Sequence, residues 1–185
     1  LTKSVTTILL TISLLINAIL ISVILKGFMG ESLGGNQLAY AISGYKGNPE
    51  EDLINVINHT KEELNIAIYN LDNEQIAEAI SSASERGVSI RIIVDEENAE
   101  NKDSKEILTE LKKLNIPIKI DINGKMHVKL TISDNQTVVT GSFNYTKDSA
   151  KDNQEILLTV NNHNLASSMN TTFNELWNSN NLTDW

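Results

Sequence analysis

His127-Val-Lys129-Leu-Thr-Ile-Ser-Asp134-Asn-Gln-Thr-Val-Val-Thr140-Gly141-Ser142-Phe-Asn144 is the stretch on which the reading of this chain turns. Val128, Leu130 and Ile132 alternate with His127, Lys129 and Thr131. A period of two is that of a half-buried strand, and it places His127 and Lys129 on one face. Asp134-Asn135 suits a two-residue hairpin turn, with Thr137–Thr140 as the return strand. Counting outward from that turn sets Thr131 opposite Val138, Lys129 opposite Thr140 and His127 opposite Ser142. Direct cross-strand partners have Cβ atoms about 4.5–5.5 Å apart, so an imidazole, an ammonium and a hydroxyl should converge. A bulge in the turn would move this register by one residue.

The flanking sequence reads as an α/β domain. Upstream, strand-like runs at Leu38–Ser43, Asn65–Tyr69, Val88–Val94 and Ile116–Ile120 alternate with helical patterns. Asn48-Pro49-Glu50-Glu51 is a helix start: a capping side chain, proline in the first turn, then acids at the positive end of the dipole. Asp72 or Asn73 should cap a second helix that ends at Arg86-Gly87, and Asp103 or Ser104 a third. Strand–helix alternation implies parallel neighbours with helices packed on the sheet. Downstream, the hairpin is followed by a strand at Glu155–Val160 and a last helix from about Asn164, with Leu165, Met169, Phe173, Leu176 and Trp177 on its apolar face. The expected fold is therefore a mixed, largely parallel sheet flanked by helices.

Residues 5–25 carry no charge and are almost wholly apolar, bracketed by Lys3 and Lys26. About 20 such residues span a bilayer as a helix. The expected organisation is an N-terminal membrane anchor and glycine-rich tether over 1–36, followed by a catalytic domain over 37–185. An uncleaved single-pass anchor fits the length of the apolar run better than a cleaved signal. Lys3 with the amino terminus against Lys26, and the acidic domain that follows, favour the domain on the extracytoplasmic side.

The chain has 185 residues, no cysteine and a formal net charge of −9. Disulfides, thiolate metal sites and a cysteine nucleophile are excluded. The charge is uneven. Between Ile122 and Lys151 stand Lys125, Lys129, Lys147 and Lys151 against only Asp134 and Asp148. An acidic body with a local basic patch at His127 suits a small anionic target better than a long duplex. Among other candidates, Asp95 ends a strand, a common ligand position, although an exposed acid explains it equally well. His59 reads as a favourable charge at a helix C-terminus, and Tyr145 as a core or rim aromatic.

His127, Lys129, Asp134, Gly141, Ser142 and Asn144 resemble the HxK, four residues, Asp, six residues, GSxN pattern of the phospholipase D superfamily. Asn153-Gln-Glu155 resembles its downstream NxE element. The similarity is greatest to the small, single-motif endonuclease branch. That resemblance implies a homodimer in which two motifs build one active site. It also implies a metal-independent phosphodiesterase, with no cofactor, working through a phosphohistidine. His127, Lys129 and Glu155 would be catalytic. Lys129, Ser142 and Asn144 would bind the substrate phosphate, Asp134 and Gly141 would shape the motif, and Glu155 would hold the far ring nitrogen of His127. A nuclease acting on DNA or RNA is the leading reading. A phospholipase D-type lipid phosphodiesterase is the second, and a catalytically inactive binding module the third.

Overall fold

The computed structural model describes residues 37–185. The expected membrane helix and tether lie outside the described residues. Among the described residues, no helix is long and apolar enough to cross a membrane.

The strands are β1 (Gln37–Ile42), β2 (Glu63–Ile68), β3 (Ser89–Asp95), β4 (Ile118–Asp121), β5 (Lys129–Ser133), β6 (Thr137–Gly141), β7 (Ile156–Asn161) and β8 (Leu182–Asp184). The helices are α1 (Pro49–His59), α2 (Glu74–Glu85), α3 (Glu96–Ala99), α4 (Lys102–Lys113), α5 (Lys147–Lys151) and α6 (His163–Trp177). All eight strands form one sheet in the order β1-β7-β6-β5-β2-β3-β4-β8.

The sheet is mixed but not largely parallel. Only β2–β3 and β3–β4 pair in parallel, and the other neighbours are antiparallel. The strand–helix rule holds from β2 to β4, through α2 and then α3–α4, but not for β1 and β2, which α1 joins without pairing them. It fails at both flanks. β5 and β6 form a hairpin, and β1 pairs with β7 at the far edge rather than with β2. An isolated strand pattern carries no information about which distant strand it will meet. β8 was not expected at all: its three residues are too few to show a period.

The parallel centre is buried on both faces. Leu64, Ile66 and Ile68 of β2 point into a core with Leu53, Ile57, Ile76, Ile80, Leu108 and Leu111 from α1, α2 and α4. Ala67 and Ile93, of opposite parity, pack with Ile132, Val138, Ala166 and Phe173 beneath α6. Strands enclosed in this way read as continuous apolar runs.

The helix starts largely follow the capping chemistry. Asn48 accepts from the Glu50 N–H at 3.1 Å, and Asn73 accepts from those of Gln75 and Ile76 at 2.9 and 3.3 Å. The helix expected to be capped by Asp103 or Ser104 is α4, which begins at Lys102, two or three residues earlier than those caps would start it. Asn101 stands at its start without a side-chain bond. Ser104 is turned away to donate to Asn70 Oδ1 at 2.7 Å.

The turn between β5 and β6 decides the register of the motif. Asp134 and Asn135 have φ of +52° and +49°, and the Gln136 N–H closes on the Ser133 carbonyl at 2.9 Å. This is the expected mirror-image turn. Gln136 then stands as an extra residue before Ser133 pairs with Thr137 and Leu130 with Thr140. The register is therefore one residue away from the count made on the sequence.

Asp134 also ties the turn to the start of β2. Its carboxylate accepts from the backbone N–H groups of Lys61 (3.0 Å), Glu62 (2.8 Å) and Glu63 (3.1 Å). Asp134→Ala removes a charged acceptor from three donors and leaves alanine at positive φ. The expected cost is about 2–3 kcal/mol in urea unfolding. Asp134→Asn tolerates the backbone and keeps one acceptor, so it should lose clearly less. Equal losses in the two variants would show that the carboxylate does not hold the turn.

Candidate active site

The motif residues gather at one end of the central strands. His127 and Val128 precede β5, which begins at Lys129. Ser142 and Asn144 follow β6, and Glu155 precedes β7. His127 is thus on the approach to the strand rather than within it, and the cross-strand pairing of His127 with Ser142 does not form. The one-residue bulge brings the Thr140 hydroxyl onto the Lys129 carbonyl instead, at 2.8 Å.

His127 and Lys129 nevertheless meet. Lys129 Nζ lies 3.1 Å from His127 Nε2. An ammonium can only donate, so in this contact Nε2 is the acceptor. The contact holds the Nε2 edge of the imidazole toward the cation. Lys129 is 7 % exposed, and burial pulls its pKa below the ordinary lysine value, while the Glu155 carboxylate opposes that shift. His127 itself is exposed.

Several residues fix the approach to His127. Asp95 is not the exposed acid that the sequence allowed: it is 2 % exposed. Its Oδ1 accepts from the Asn98 side chain at 2.9 Å, and its Oδ2 accepts from the Met126 N–H at 3.1 Å. A buried carboxylate thus pins the residue before His127. The Tyr69 N–H donates to the Val128 carbonyl at 2.9 Å. The Tyr69 ring lies against the imidazole, centroids 4.5 Å apart and tilted by 59°. Lys125 belongs to the basic patch read from the sequence, but Tyr69 went unnoticed as a site residue. The available signal was that the Asn65–Tyr69 strand pattern ends in an aromatic residue.

On the other side, Glu155 does not take the far nitrogen of His127. Its carboxylate accepts from the Ser142 hydroxyl and from that of Ser149 at 3.2 Å. Ser142 Oγ in turn accepts from the Ile156 N–H at 3.1 Å. The single hydroxyl proton of Ser142 is therefore committed to Glu155, and the pair acts to position the loop after β6. Asn144 differs: its Oδ1 is buried with no hydrogen-bond partner. The next residue, Tyr145, is core. It is 1 % exposed, its hydroxyl is 2.6 Å from Thr131 Oγ1, and burial pushes its phenol pKa up.

Gly141 is required by a close approach. Its φ is +156°, and a Cβ built there would lie 2.0 Å from the Ile156 carbonyl oxygen. The β7 backbone passes where any side chain would stand. His59 ends α1 as expected, with Nδ1 2.7 Å from the Asn55 carbonyl. A cavity of about 700 Å³ lined by Glu74, Glu78, Lys102 and Glu106 touches none of the motif residues.

An exposed imidazole with a buried cation beside its Nε2 makes a site for an anionic, electrophilic centre. Comparison with known proteins agrees with that class. Residues 53–177 match the family model described as cardiolipin synthase, PLD-like domain. The chain belongs to this phospholipase D-like family. It is 35 % identical over 117 residues to a phospholipase D of Rickettsia conorii, covering 63 % of this chain and 58 % of the relative. It is 27 % identical over 115 residues to a mitochondrial cardiolipin hydrolase of Chlamydomonas reinhardtii, covering 62 % and 51 %. The chain thus spans little more than half the length of these curated relatives. The fold is similar to the crystal structure of Nuc, a phospholipase D family member from Salmonella typhimurium. The TM-score is 0.77 at 27 % identity, over 82 % of this chain and 99 % of that one. NucT from Helicobacter pylori gives 0.71 at 25 % identity, over 82 % and 100 %.

Proposed function

We propose that the domain is a metal-independent phosphodiesterase that cleaves nucleic acid, with His127 as nucleophile. The observation that carries this reading is the 3.1 Å contact that sets Nε2 of His127 beside the Lys129 ammonium. In the first step Nε2 attacks phosphorus, the bond to the leaving oxygen breaks, and that oxygen takes a proton from a protonated His127 of a second chain. In the second step that imidazole, now neutral, removes a proton from water. The water oxygen attacks phosphorus and the P–N bond breaks. Lys129 of both chains and Asn144 hold the non-bridging oxygens. Acid–base help of this kind contributes about 10²–10⁴ in rate. Ser142 and Glu155 act as positioning residues.

The two-histidine scheme requires a dimer. Val128 and Ile156, each next in sequence to a site residue, are 41 % and 38 % exposed. Exposed apolar residues on both sides of the site support packing of a second copy there. The same residues suit acyl chains, and the names of the curated relatives, phospholipase D and cardiolipin hydrolase, favour a lipid as the second reading. The apolar segment at 5–25 would hold the domain at a membrane, on its extracytoplasmic side.

One assay separates the readings. The purified protein is offered single-stranded DNA, RNA, phosphatidylcholine and cardiolipin, all with EDTA present. Nucleotide cleavage without lipid turnover is the expected result. Lipid turnover alone would transfer the same chemistry to the second reading. Inertness on every substrate would leave a binding module.

A further inference from the structure

Lys125 stands outside the motif but not outside the site. Its Nζ lies 4.9 Å from the centroid of the Tyr69 ring, and Lys129 Nζ lies at the same distance from that ring. The ring itself packs on His127 at 4.5 Å. One aromatic side chain thus touches the nucleophile candidate and two cations. The neighbouring Lys125 and Asn98 side chains lower the pKa of the Tyr69 phenol, and the phenol raises that of Lys125. Asn98 is 7 % exposed and is held by Asp95, so that neighbour of the phenol is fixed. A surface lysine ordinarily samples many rotamers in water. This one is drawn to a fixed point by a phenol and an aromatic face.

The two ammonium groups differ in setting. Lys129 is buried and bonded to the imidazole, whereas Lys125 is exposed and reaches Tyr69 from outside. A single phosphodiester between His127 and Lys129 leaves Lys125 without an anionic partner. A strand of nucleic acid repeats its charge at every nucleotide, about 3.4 Å along the axis per strand, so a neighbouring phosphate is always near.

We propose that Lys125, oriented by Tyr69, forms a second phosphate subsite that binds the phosphate next to the scissile one. The substrate class is then an oligonucleotide rather than an isolated diester. This rests on the phosphodiesterase reading for its meaning but not for its test, which is a binding measurement.

The protein carrying His127→Ala, which cannot turn over under that reading, is titrated calorimetrically with thymidylyl-thymidine. It is then titrated with the same dinucleotide bearing a terminal phosphate at its 5′ end, and with one bearing it at its 3′ end. One of the two phosphorylated forms is expected to bind about tenfold more tightly than the bare dinucleotide, as a charge-assisted hydrogen bond provides. Adding Lys125→Ala should bring that ratio close to one, and Lys125→Arg should restore it. Tyr69→Phe, which keeps the ring and loses the phenol, should lower the ratio by a few fold. Lys113→Ala, at an exposed lysine remote from the site, should leave it intact. The proposal is overturned if neither terminal phosphate improves binding or if the gain survives Lys125→Ala. It is equally overturned if Lys113→Ala abolishes the gain as fully, since bulk charge then accounts for it. A gain that depends on Lys125 in a protein that hydrolyses nothing would uphold the subsite and refute the proposed activity, so the two failures are distinct.

Discussion

His127→Ala is expected to lower turnover by a factor of at least about 10⁴, because under the proposed scheme the substitution deletes the nucleophile and, in a paired site, the acid as well. EDTA at millimolar concentration should leave the wild-type rate unchanged, since in the proposed scheme Lys129 and Asn144 would supply the charge stabilisation that a cation would otherwise give. The fold should survive, because His127 is exposed and its contacts are to Lys129 and the Tyr69 ring. Circular dichroism and urea unfolding check this separately from activity. Mixing gives a sharper result. If each site needs His127 from two chains, refolding wild type with an equal amount of the variant lowers activity to about a quarter of the all-wild-type value. Independent sites would retain about half. A proportional decline would remove the second histidine from the scheme, and full activity of His127→Ala would remove the first.

Gly141→Ala has the largest expected effect on stability. Its Cβ would meet the Ile156 carbonyl oxygen at 2.0 Å, the Ile156 carbonyl carbon at 3.0 Å and Leu157 Cα at 3.2 Å. All three are backbone atoms, so no rotamer change relieves the overlap. Gly141 pairs with Leu157 in the β6–β7 ladder, and those strands would have to separate. The cost should be about 4 kcal/mol or more, at the upper end for a point substitution. Gly124 provides the comparison. Its φ is +152°, similar to that of Gly141, but nothing lies within 4 Å of a Cβ built there. Gly124→Ala therefore isolates the backbone preference and should cost about 1 kcal/mol. Denaturation midpoints that coincide for the two variants would mean that the β7 approach is not what requires Gly141.

The two glycines show why part of the site was legible in the chain and part was not. Gly141 is recognisable from its place in the motif, but the reason for it is Ile156, fifteen residues later in a strand that only the sheet order brings alongside. Lys129 and His127 are two residues apart, and their meeting follows from local geometry even though His127 proved to lie just ahead of the strand. The pairing of His127 with Ser142 was a longer extrapolation. It failed at one residue, Gln136, whose bulge follows a turn that was otherwise read correctly from Asp134-Asn135. Strand register propagates, so one extra residue shifts every partner beyond it.

Glu155 and Asp95 show the same division in their side chains. The resemblance to the phospholipase D pattern put Glu155 in the site, and it is there, but its carboxylate faces Ser142 and Ser149 rather than His127. Asp95 read equally well as an exposed acid, yet it is enclosed and holds the Met126 N–H. A carboxylate has the same letter in water and in a core. Its role is set by which donors the fold delivers to it.

Local chemistry accounts for the elements whose causes are near in sequence. These are the asparagine caps of α1 and α2, the apolar runs of β2 and β3, the amphipathic α6, the Asp134-Asn135 turn and the spacing that identifies the family. Each rests on interactions spanning a few residues, and periodicity records such interactions directly. The antiparallel flanks, the place of β1 beside β7, the late strand β8, the phenol that gathers Lys125 and Lys129 around His127, and the occupation of Glu155 by two serines all depend on residues far apart in the chain. Those pairings are chosen by burial and hydrogen-bond closure over the whole sheet, a competition among many alternatives that no single stretch of the chain encodes.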